Sequence, residues 1–180
     1  MRIALTGTPG VGKSTVAALL PYRVIDINAL VKDGLSFGVD EERGCLEADM
    51  EGLERRLQEL DQVGGLYSKN GLGQEEIIIL EGHFSHRFAE WAIVLRLNPE
   101  VLRVRLQERG YPEGKIRENL EAEALDIVLA EAVELCHRVD EIDTTGLSAP
   151  EVSELVERII KGELRLPLGQ VDWLEGFFGS

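Results

Sequence analysis

The octapeptide at residues 7–14 carries residue types that can cradle a phosphate group. It reads Gly-Thr-Pro-Gly-Val-Gly-Lys-Ser and matches the pattern G-x-x-x-x-G-K-[ST] in full. Glycines such as Gly10 and Gly12 let the backbone approach an anion closely, and the N–H groups that open a helix attract negative charge. We therefore expect the backbone N–H groups of residues 10–15 to converge on the phosphates of a nucleotide.

The polar side chains at the end of this octapeptide have separate expected roles. The Lys13 ammonium group can reach the β- and γ-phosphates of a nucleoside triphosphate, and the Ser14 hydroxyl can ligate Mg²⁺. Thr15 adds another N–H group and a hydroxyl near the α-phosphate. The pattern predicts binding of ATP with magnesium, but it does not by itself identify a reaction.

A second polar group follows the apolar run Ile77–Leu80, which is typical of a buried strand. Glu81 comes directly after that run, at the strand end where ligands of open α/β sheets gather. We expect Glu81 to hold the metal through water or to polarise the attacking group; the alternative is a carboxylate that only caps the next turn. His83 can orient water or a phosphate, or it can be structural.

A third group is basic. Arg105 and Arg109 lie four residues apart on one predicted helix, close to Arg103, Lys115 and Arg117. Arginine stabilises the charge that spreads over a transferring phosphoryl group, so we expect Arg105 and Arg109 to act on the phosphates. The alternative is surface ion pairing with neighbouring glutamates, which contributes little.

These groups must be positioned by alternating strands and helices. Apolar runs predict strands, and apolar residues at helical spacing predict helices between them. Such an alternation builds a parallel sheet with helices on both faces. The predicted strands cover residues 2–6, 22–27, 77–80, 91–97 and 138–143, and the predicted helices cover residues 13–20, 28–32, 49–62, 99–109, 112–137 and 150–161.

Two segments have no predicted regular structure. Residues 33–48 are acidic and punctuated by glycines, so we expect them to be irregular. The glycine-rich stretch from Gly64 to Gly73 predicts a loop. Residues 162–180 contain Trp173 and several apolar side chains, and we expect them to pack on the same domain.

Composition narrows the class of protein. The chain has 180 residues, 44% of them hydrophobic, and a net charge of −14, which suits one acidic globular domain. That charge disfavours non-specific binding to nucleic acid, and it suits a basic protein partner or simply solubility. Cys45 and Cys136 have no metal-ligand spacing, and we predict neither a signal peptide nor a membrane span. A cytoplasmic location is therefore expected.

Taken together, the motifs resemble those of the archaeal and nuclear-type adenylate kinases, a family of broad-specificity nucleoside monophosphate kinases that also act as ATPases in small-ribosomal-subunit maturation. The resemblance covers about residues 1–161. It is carried by the octapeptide at residues 7–14, Glu81-Gly82-His83, Arg109-Gly110-Tyr111, Lys115-Ile116, Glu118-Asn119 and Asp40-Glu41-Glu42.

The resemblance implies a three-layer α/β/α P-loop fold with a five-stranded parallel sheet. It implies that residues 1–161 form the kinase domain, with a monophosphate-binding segment at about residues 29–52 and a lid at about residues 108–118. ATP, AMP or another monophosphate and Mg²⁺ are the implied ligands, and a basic small-subunit ribosomal protein is an implied partner. Residues assigned to ATP by the resemblance are Gly10, Gly12, Lys13, Ser14, Thr15 and Arg109.

Other functions stay open at this point. An assembly ATPase with little kinase activity is one, and a small-metabolite kinase on the same scaffold is another. A GTPase switch is disfavoured, because the chain contains no Asn-Lys-x-Asp string for selecting guanine.

Overall fold

A parallel sheet with helices on both faces forms the centre of the protein. The computed structural model describes residues 1–40, 45–67 and 76–174. In chain order the elements are β1 (Arg2–Thr6), α1 (Lys13–Ala17), β2 (Arg23–Asp26), α2 (Ile27–Lys32), β3 (Ser36–Asp40), β4 (Cys45–Ala48), α3 (Met50–Tyr67), β5 (Ile78–Glu81), a 3₁₀ turn (Ser85–Phe88), β6 (Trp91–Arg96), α4 (Pro99–Glu108), α5 (Glu113–Ala124), α6 (Ile127–Leu135), β7 (Arg138–Asp143) and α7 (Ala149–Ile160). Among these residues, no helix is both long and apolar enough to cross a bilayer.

The five strands of this sheet lie in the order β2-β5-β1-β6-β7. Every adjacent pair runs parallel, so all the carboxyl ends lie at one edge. Glu81 is in register with Leu5 of β1 and with Asp26 of β2. The prediction of a three-layer α/β/α fold around a five-stranded parallel sheet is confirmed, and its register brings β5 and the β1–α1 loop side by side.

Alternate residues of the strands supply separate cores on the two faces. Ile3 and Leu5 contribute to a cluster with side chains from α1, α4, α5 and α7. Ala4 points the other way, toward α6. Ile78 and Leu80 contribute to a third cluster with α2 and α3. Strands buried on both faces require near-continuous apolar runs, and the sequence shows such runs at β1, β5 and β6.

Predicted helix boundaries hold where local capping chemistry is strong. Asn98 accepts a hydrogen bond from the Glu100 N–H group, and Pro99 occupies the first turn of α4. Gly110 follows α4 with φ 73°, a backbone conformation that glycine adopts easily. At α7 the Glu151 carboxylate accepts the Ser148 N–H group at 2.8 Å. Helix α1 is shorter than predicted and ends at Ala17.

The segment at residues 33–48 is not irregular as expected. It contains the antiparallel pair β3–β4, with Val39 in register with Leu46. The apolar side chains of β3 stay in solvent, since Phe37 is 72% exposed and Val39 is 64% exposed, whereas Ala48 of β4 packs against the cluster at α2 and α3. An unburied strand has no alternation between a core face and a water face, so its sequence gave no strand pattern.

The glycine pair Gly64-Gly65 also departs from the prediction, because α3 continues through it to Tyr67. Glycine destabilises a helix by about 1 kcal/mol per residue relative to alanine, but the tertiary context of a helix can override this effect. The rest of that predicted loop, including Gly71 and Gly73, lies outside the described residues.

The single helix predicted for residues 112–137 is two helices, α5 and α6. The chain breaks at Asp126, which has φ 56° in the left-handed region. The Arg96 guanidinium group donates to the Glu123 carbonyl at 2.9 Å and also pairs with the Asp126 carboxylate. The Glu123 carbonyl, which an unbroken helix would offer to residue 127, thus accepts from Arg96 and, at 3.3 Å, from the Asp126 N–H group. A periodicity argument cannot reveal a break that is imposed by a distant arginine.

The segment after α7 lies along β7. Leu164 and Leu166 pack against the core cluster, and Val171 is buried. The Gly169 N–H group donates to the Glu141 carboxylate at 2.8 Å, and the Leu166 N–H group donates to Asp140 at 3.4 Å. Residues 175–180 lie outside the described residues.

Replacing Leu57 by alanine tests the core between α3 and the sheet. Leu57 is fully buried, so the change should lower the free energy of unfolding by about 2–5 kcal/mol. Urea denaturation followed by circular dichroism measures it. Arg56→Ala is the control on the same helix: its side chain is half exposed, and its loss should change stability by less than about 0.5 kcal/mol. Equal effects would contradict the packing described here.

Candidate active site

The β1–α1 loop requires glycine at two positions for steric reasons. Gly7 has φ 139°, and a Cβ atom there would lie 2.4 Å from the Leu95 carbonyl oxygen. Gly10 has φ 100°, and a Cβ atom there would lie 2.7 Å from Leu102 Cδ1. Both contacts are shorter than a side chain tolerates, so glycine is what lets the loop lie directly on β6 and α4.

The loop leads into α1 through Gly12, which has φ 114° and precedes the first residue of the helix. Arg105 of α4 crosses this corner and donates from Nη1 to the Val11 carbonyl at 3.1 Å. Arg105 therefore supports the backbone of the loop directly.

Lys13 is buried inside the curve of the loop. Its Nζ donates to the Gly7 carbonyl at 2.8 Å and to the Thr8 carbonyl at 3.1 Å. Burial lowers the pKa of Lys13 to about 8, although the carboxylates of Glu81 and Glu123 act in the opposite direction. The ammonium group is thus held by neutral carbonyl oxygens, and an arriving phosphate would stabilise its charge.

Glu81 lies at the carboxyl end of β5, where only 3% of the residue is exposed. Burial raises the pKa of the Glu81 carboxyl group, and the nearby Asp26 carboxylate acts in the same direction. Lys13 and a hydrogen bond from Ser14 oppose that rise. Ser14 itself is exposed at the start of α1.

These residues fit a magnesium ion. The Ser14 hydroxyl and the Glu81 carboxylate offer the hard oxygen ligands that Mg²⁺ prefers, and their interaction shows that they are close together. Magnesium typically takes one or two protein oxygens and completes its shell with phosphate and water. A magnesium ion here therefore needs no further acidic side chain. The described residues contain no group of three or more His, Cys, Asp and Glu side chains that could hold a metal ion.

A cavity of about 490 Å³ opens on one side of the loop. Its floor is formed by Lys13, Ser14 and Glu81, with His83 beside them. The remaining walls come from the chain after β2, from β4 and from the segment that follows α4: Asn28, Val31, Lys32, Leu46, Ala48, Arg109 and Tyr111.

His83 lies in this cavity with its ring exposed and in edge-to-face contact with Phe84, at 4.6 Å between ring centroids. The surrounding protein and the Lys13 charge lower the pKa of His83 to about 4. Both influences act in the same direction. His83 is therefore neutral at pH 7, and it can donate one hydrogen bond and accept another.

A smaller cavity of about 250 Å³ lies on the other side of α1. Thr15 and Arg105 line it, and Leu147, Ala149 and Val152 give it an apolar wall. Thr144, which follows β7, lines it as well. Arg109 lines both cavities. The loop thus separates two compartments that share one arginine.

The other basic residues singled out in the sequence form ion pairs with glutamates outside the two cavities. Arg103 pairs with Glu113 at 2.8 Å, Lys115 pairs with Glu118 at 2.9 Å, and Arg117 is 3.8 Å from Glu121. None of the three lines either cavity. The ion-pairing alternative therefore describes these three, whereas Arg105 and Arg109 lie at the loop.

Sequence reasoning missed a carboxylate behind the loop. Glu123 of α5 is buried and accepts a hydrogen bond from the Thr8 hydroxyl. It lies more than a hundred residues along the chain from Thr8, in a helix rich in glutamate, and nothing local distinguishes it. Asn28 and Tyr111 line the larger cavity, and they too were missed as individual site residues.

Comparison with known proteins identifies chains that are similar to this one over most of its length. A family model described as "AAA domain" matches residues 3–126. A protein of Methanothermobacter thermautotrophicus named "Putative adenylate kinase" is 47% identical over 97% of this chain and 99% of its own length. A protein of the same name from Methanosarcina barkeri is 44% identical over 97% of this chain and 98% of its own length. Another, from Methanocaldococcus jannaschii, is 40% identical over 99% of this chain and 96% of its own length.

Solved structures share the fold at low identity. Shikimate kinase from Acinetobacter baumannii superposes with a TM-score of 0.55 at 18% identity, covering 90% of this chain and 93% of its own. Thymidylate kinase from Candida albicans gives 0.51 at 15% identity, covering 90% and 91%. Both are P-loop kinases in fold, and the near-full-length relatives narrow the assignment: the chain belongs to the archaeal adenylate kinase family.

Proposed function

We propose that this protein is a nucleoside monophosphate kinase that transfers the terminal phosphate of ATP to AMP or a similar acceptor, reversibly and with Mg²⁺. The observation that carries the proposal is the pair of cavities on either side of the phosphate loop, with Arg109 in both. A phosphotransferase must hold two ligands on one line through the migrating phosphoryl group, and two compartments that meet at one arginine satisfy that requirement.

In this proposal the smaller cavity takes the base of ATP. Its apolar wall suits a flat ring, and the buried Thr144 adds a polar side chain whose hydroxyl donates to the Arg96 carbonyl. The β- and γ-phosphates then lie on the loop, where Lys13 exchanges carbonyl partners for phosphate oxygens. The backbone at Gly10 and Gly12 and the hydroxyls of Ser14 and Thr15 complete the ATP site.

The larger cavity takes the acceptor. Residues of the proposed monophosphate-binding segment, at about residues 29–52, form one wall of it, with Lys32 as a cation for the acceptor phosphate. Arg109 and Tyr111, from the proposed lid at about residues 108–118, form the opposite wall. Closure of these walls would exclude water from the reacting phosphate.

In the proposed reaction, the main contribution of the protein is to position positive charge around the phosphates. Lys13 and Arg109 stabilise the negative charge on the migrating phosphoryl group, and Arg105 keeps the loop backbone in position. Neutral His83 can donate a hydrogen bond to a phosphate oxygen or to water. Ser14 and Glu81 would hold Mg²⁺, which when bound supplies further neutralisation of the phosphates.

ATP hydrolysis and a role in small-subunit maturation remain proposals at the same site. His83, exposed in an open cavity, could orient a water molecule when no acceptor is bound. The net charge of −14 would favour a basic ribosomal protein as partner. Incubation with ATP alone measures the first proposal. A pull-down with purified small-subunit proteins, at low salt and with ATP or ADP, measures the second, and binding of none of them would reject it.

The kinase proposal is tested by a coupled assay for ADP with ATP and each monophosphate in turn, and with shikimate as a small-metabolite acceptor. We expect ADP formation with AMP or another monophosphate, and a loss of about 100-fold or more in kcat on Lys13→Ala. Lys161→Ala is the control, since Lys161 pairs with Glu157 on the far end of α7. Turnover with shikimate alone, or no turnover above the Lys13→Ala level, rejects the proposal.

The pH dependence should report Lys13. The charged ammonium form binds phosphate, and its pKa of about 8 means that raising the pH above 8 removes that charge from the free enzyme. We expect kcat/KM for ATP to fall about tenfold per unit above that pKa, while kcat at saturating ATP changes less, because bound phosphate stabilises the ammonium. Whatever activity Lys13→Arg retains should lack this alkaline limb, since arginine stays charged. A limb that persists in Lys13→Arg would assign the titration to another group.

Arg103, within α4, and Arg109, at its end, allow a role in phosphate contact to be distinguished from surface ion pairing. Arg109→Ala should lower kcat/KM by about 100-fold, because Arg109 lines both cavities. Arg103→Ala should leave kcat/KM within about twofold, because Arg103 pairs with Glu113 in solvent. Steady-state kinetics with both substrates varied measures both. A similar loss in the two variants would show that net charge, rather than position, matters.

A further inference from the structure

A line of buried charged groups runs from the back of the phosphate loop to the C-terminal segment. It begins at Thr8, passes through Glu123, Arg96 and Glu141, and ends at the backbone of residues 169–170. No more than 3% of any of the three charged residues is exposed. None of them lines the two cavities of the proposed active site.

Every oxygen of the Glu123 carboxylate has a specific partner. Oε1 accepts from Arg96 Nε at 2.9 Å and from the Leu97 N–H group at 3.0 Å. Oε2 accepts from the Thr8 hydroxyl. Because Arg96 and Leu97 fix one oxygen at the end of β6, the other oxygen is presented to the loop in one orientation.

Thr8 transmits that orientation to the loop. Its hydroxyl is held by Glu123, and its carbonyl accepts from Lys13 Nζ at 3.1 Å and from the Val11 N–H group at 3.3 Å. The Glu123 carboxylate also acts electrostatically on Lys13, since it opposes the fall in the pKa of that ammonium group. Glu123 therefore affects both the shape and the charge of the loop without facing the nucleotide.

The other end of the line is anchored by the C-terminal segment. Arg96 Nη1 donates to Glu141 Oε1 at 2.8 Å. Glu141 Oε2 accepts from the Gly169 N–H group at 2.8 Å and from the Gln170 N–H group at 3.3 Å. A buried ion pair seldom adds stability over an apolar core, so this arrangement favours a role in specifying position.

We propose that Glu123 is a positioning residue for the phosphate loop, and that Glu141 and residues 169–170 hold it in place through Arg96. The proposal rests on nucleotide binding at this loop and deepens it, because it makes nucleotide affinity depend on a group behind the loop. The C-terminal segment then contributes to the nucleotide site without contacting it.

Thr8→Val tests the first link, since valine keeps the shape of threonine but removes the hydroxyl. In the full-length protein we expect the Kd for ADP, measured by calorimetry, and the KM for ATP to rise about tenfold, with a smaller change in kcat. Thr8→Ser restores the hydroxyl and should return both constants to within about twofold of wild type.

Asp126→Asn is the matched control. Asp126 contacts Arg96 in the same cluster, but its side chain is 36% exposed whereas that of Glu141 is 1% exposed, so solvent can replace its contact. Asparagine tolerates the left-handed backbone at this position. We expect nucleotide affinity within about twofold of wild type for this variant. If Asp126→Asn weakens ADP binding as much as Thr8→Val does, the effect belongs to general loosening of the cluster and the proposal is overturned.

The link to the C-terminal segment is tested by a double-mutant cycle of Thr8→Val and Glu141→Gln. Glu141→Gln alone should raise the Kd for ADP several-fold, and the double variant should be less weakened than the product of the single effects. Independent effects would remove the C-terminal segment from the proposal. If wild type binds ADP and Thr8→Val binds it equally well, only this inference fails; if wild type binds no nucleotide, the proposed function fails first.

Discussion

The proposed nucleotide site depends on one buried ammonium group, that of Lys13. In the described part of the chain, Lys13 Nζ is held by two loop carbonyls, while its nearest acids act only from a distance. Burying a charge that way is costly, and the cost appears as a pKa lowered to about 8. A bound phosphate anion would recover that cost and so stabilise the loop, which is the physical basis for the proposed nucleotide site.

The sheet determines what stands around that ammonium group. Parallel strands end at one edge, and register places Glu81 beside Leu5 on one side and Asp26 on the other. The loop after β1, the carboxylate after β5 and the start of α2 after β2 therefore meet by topology, although they are far apart in sequence. Glycine at positions 7 and 10 then lets the loop lie on β6 and α4. Each contribution comes from an element whose own packing is independent of the ligand.

The sequence predicted the parts of this arrangement that are encoded locally. The apolar runs of β1, β5 and β6, the octapeptide, and the strand-end Glu81 are each visible within a few residues. Structure imposed from a distance was not predictable: Arg96 breaks the helix at Asp126, and Glu123 reaches Thr8 across more than a hundred residues. The β3–β4 pair was missed for the opposite reason, because its apolar side chains Phe37 and Val39 are exposed and create no burial pattern. The spacing of Arg105 and Arg109 singled them out in the sequence, but only tertiary contacts distinguish the two: Arg105 donates to the loop backbone, and Arg109 lines both cavities.

The net charge of the protein is negative, whereas the side chains proposed to bind phosphate are positive. A chain with net charge −14 repels an anionic nucleotide at long range, but exposed charges are screened over about 8–10 Å at physiological salt. Inside that distance a nucleotide bound as proposed would meet the loop N–H groups and the exposed Arg109 at short range, together with Lys13, whose burial strengthens the interaction. Affinity must therefore come from contacts at the loop rather than from attraction by the whole protein. A site of this kind is sensitive to small displacements of the loop, and a rigid support behind Thr8 is what such a site requires.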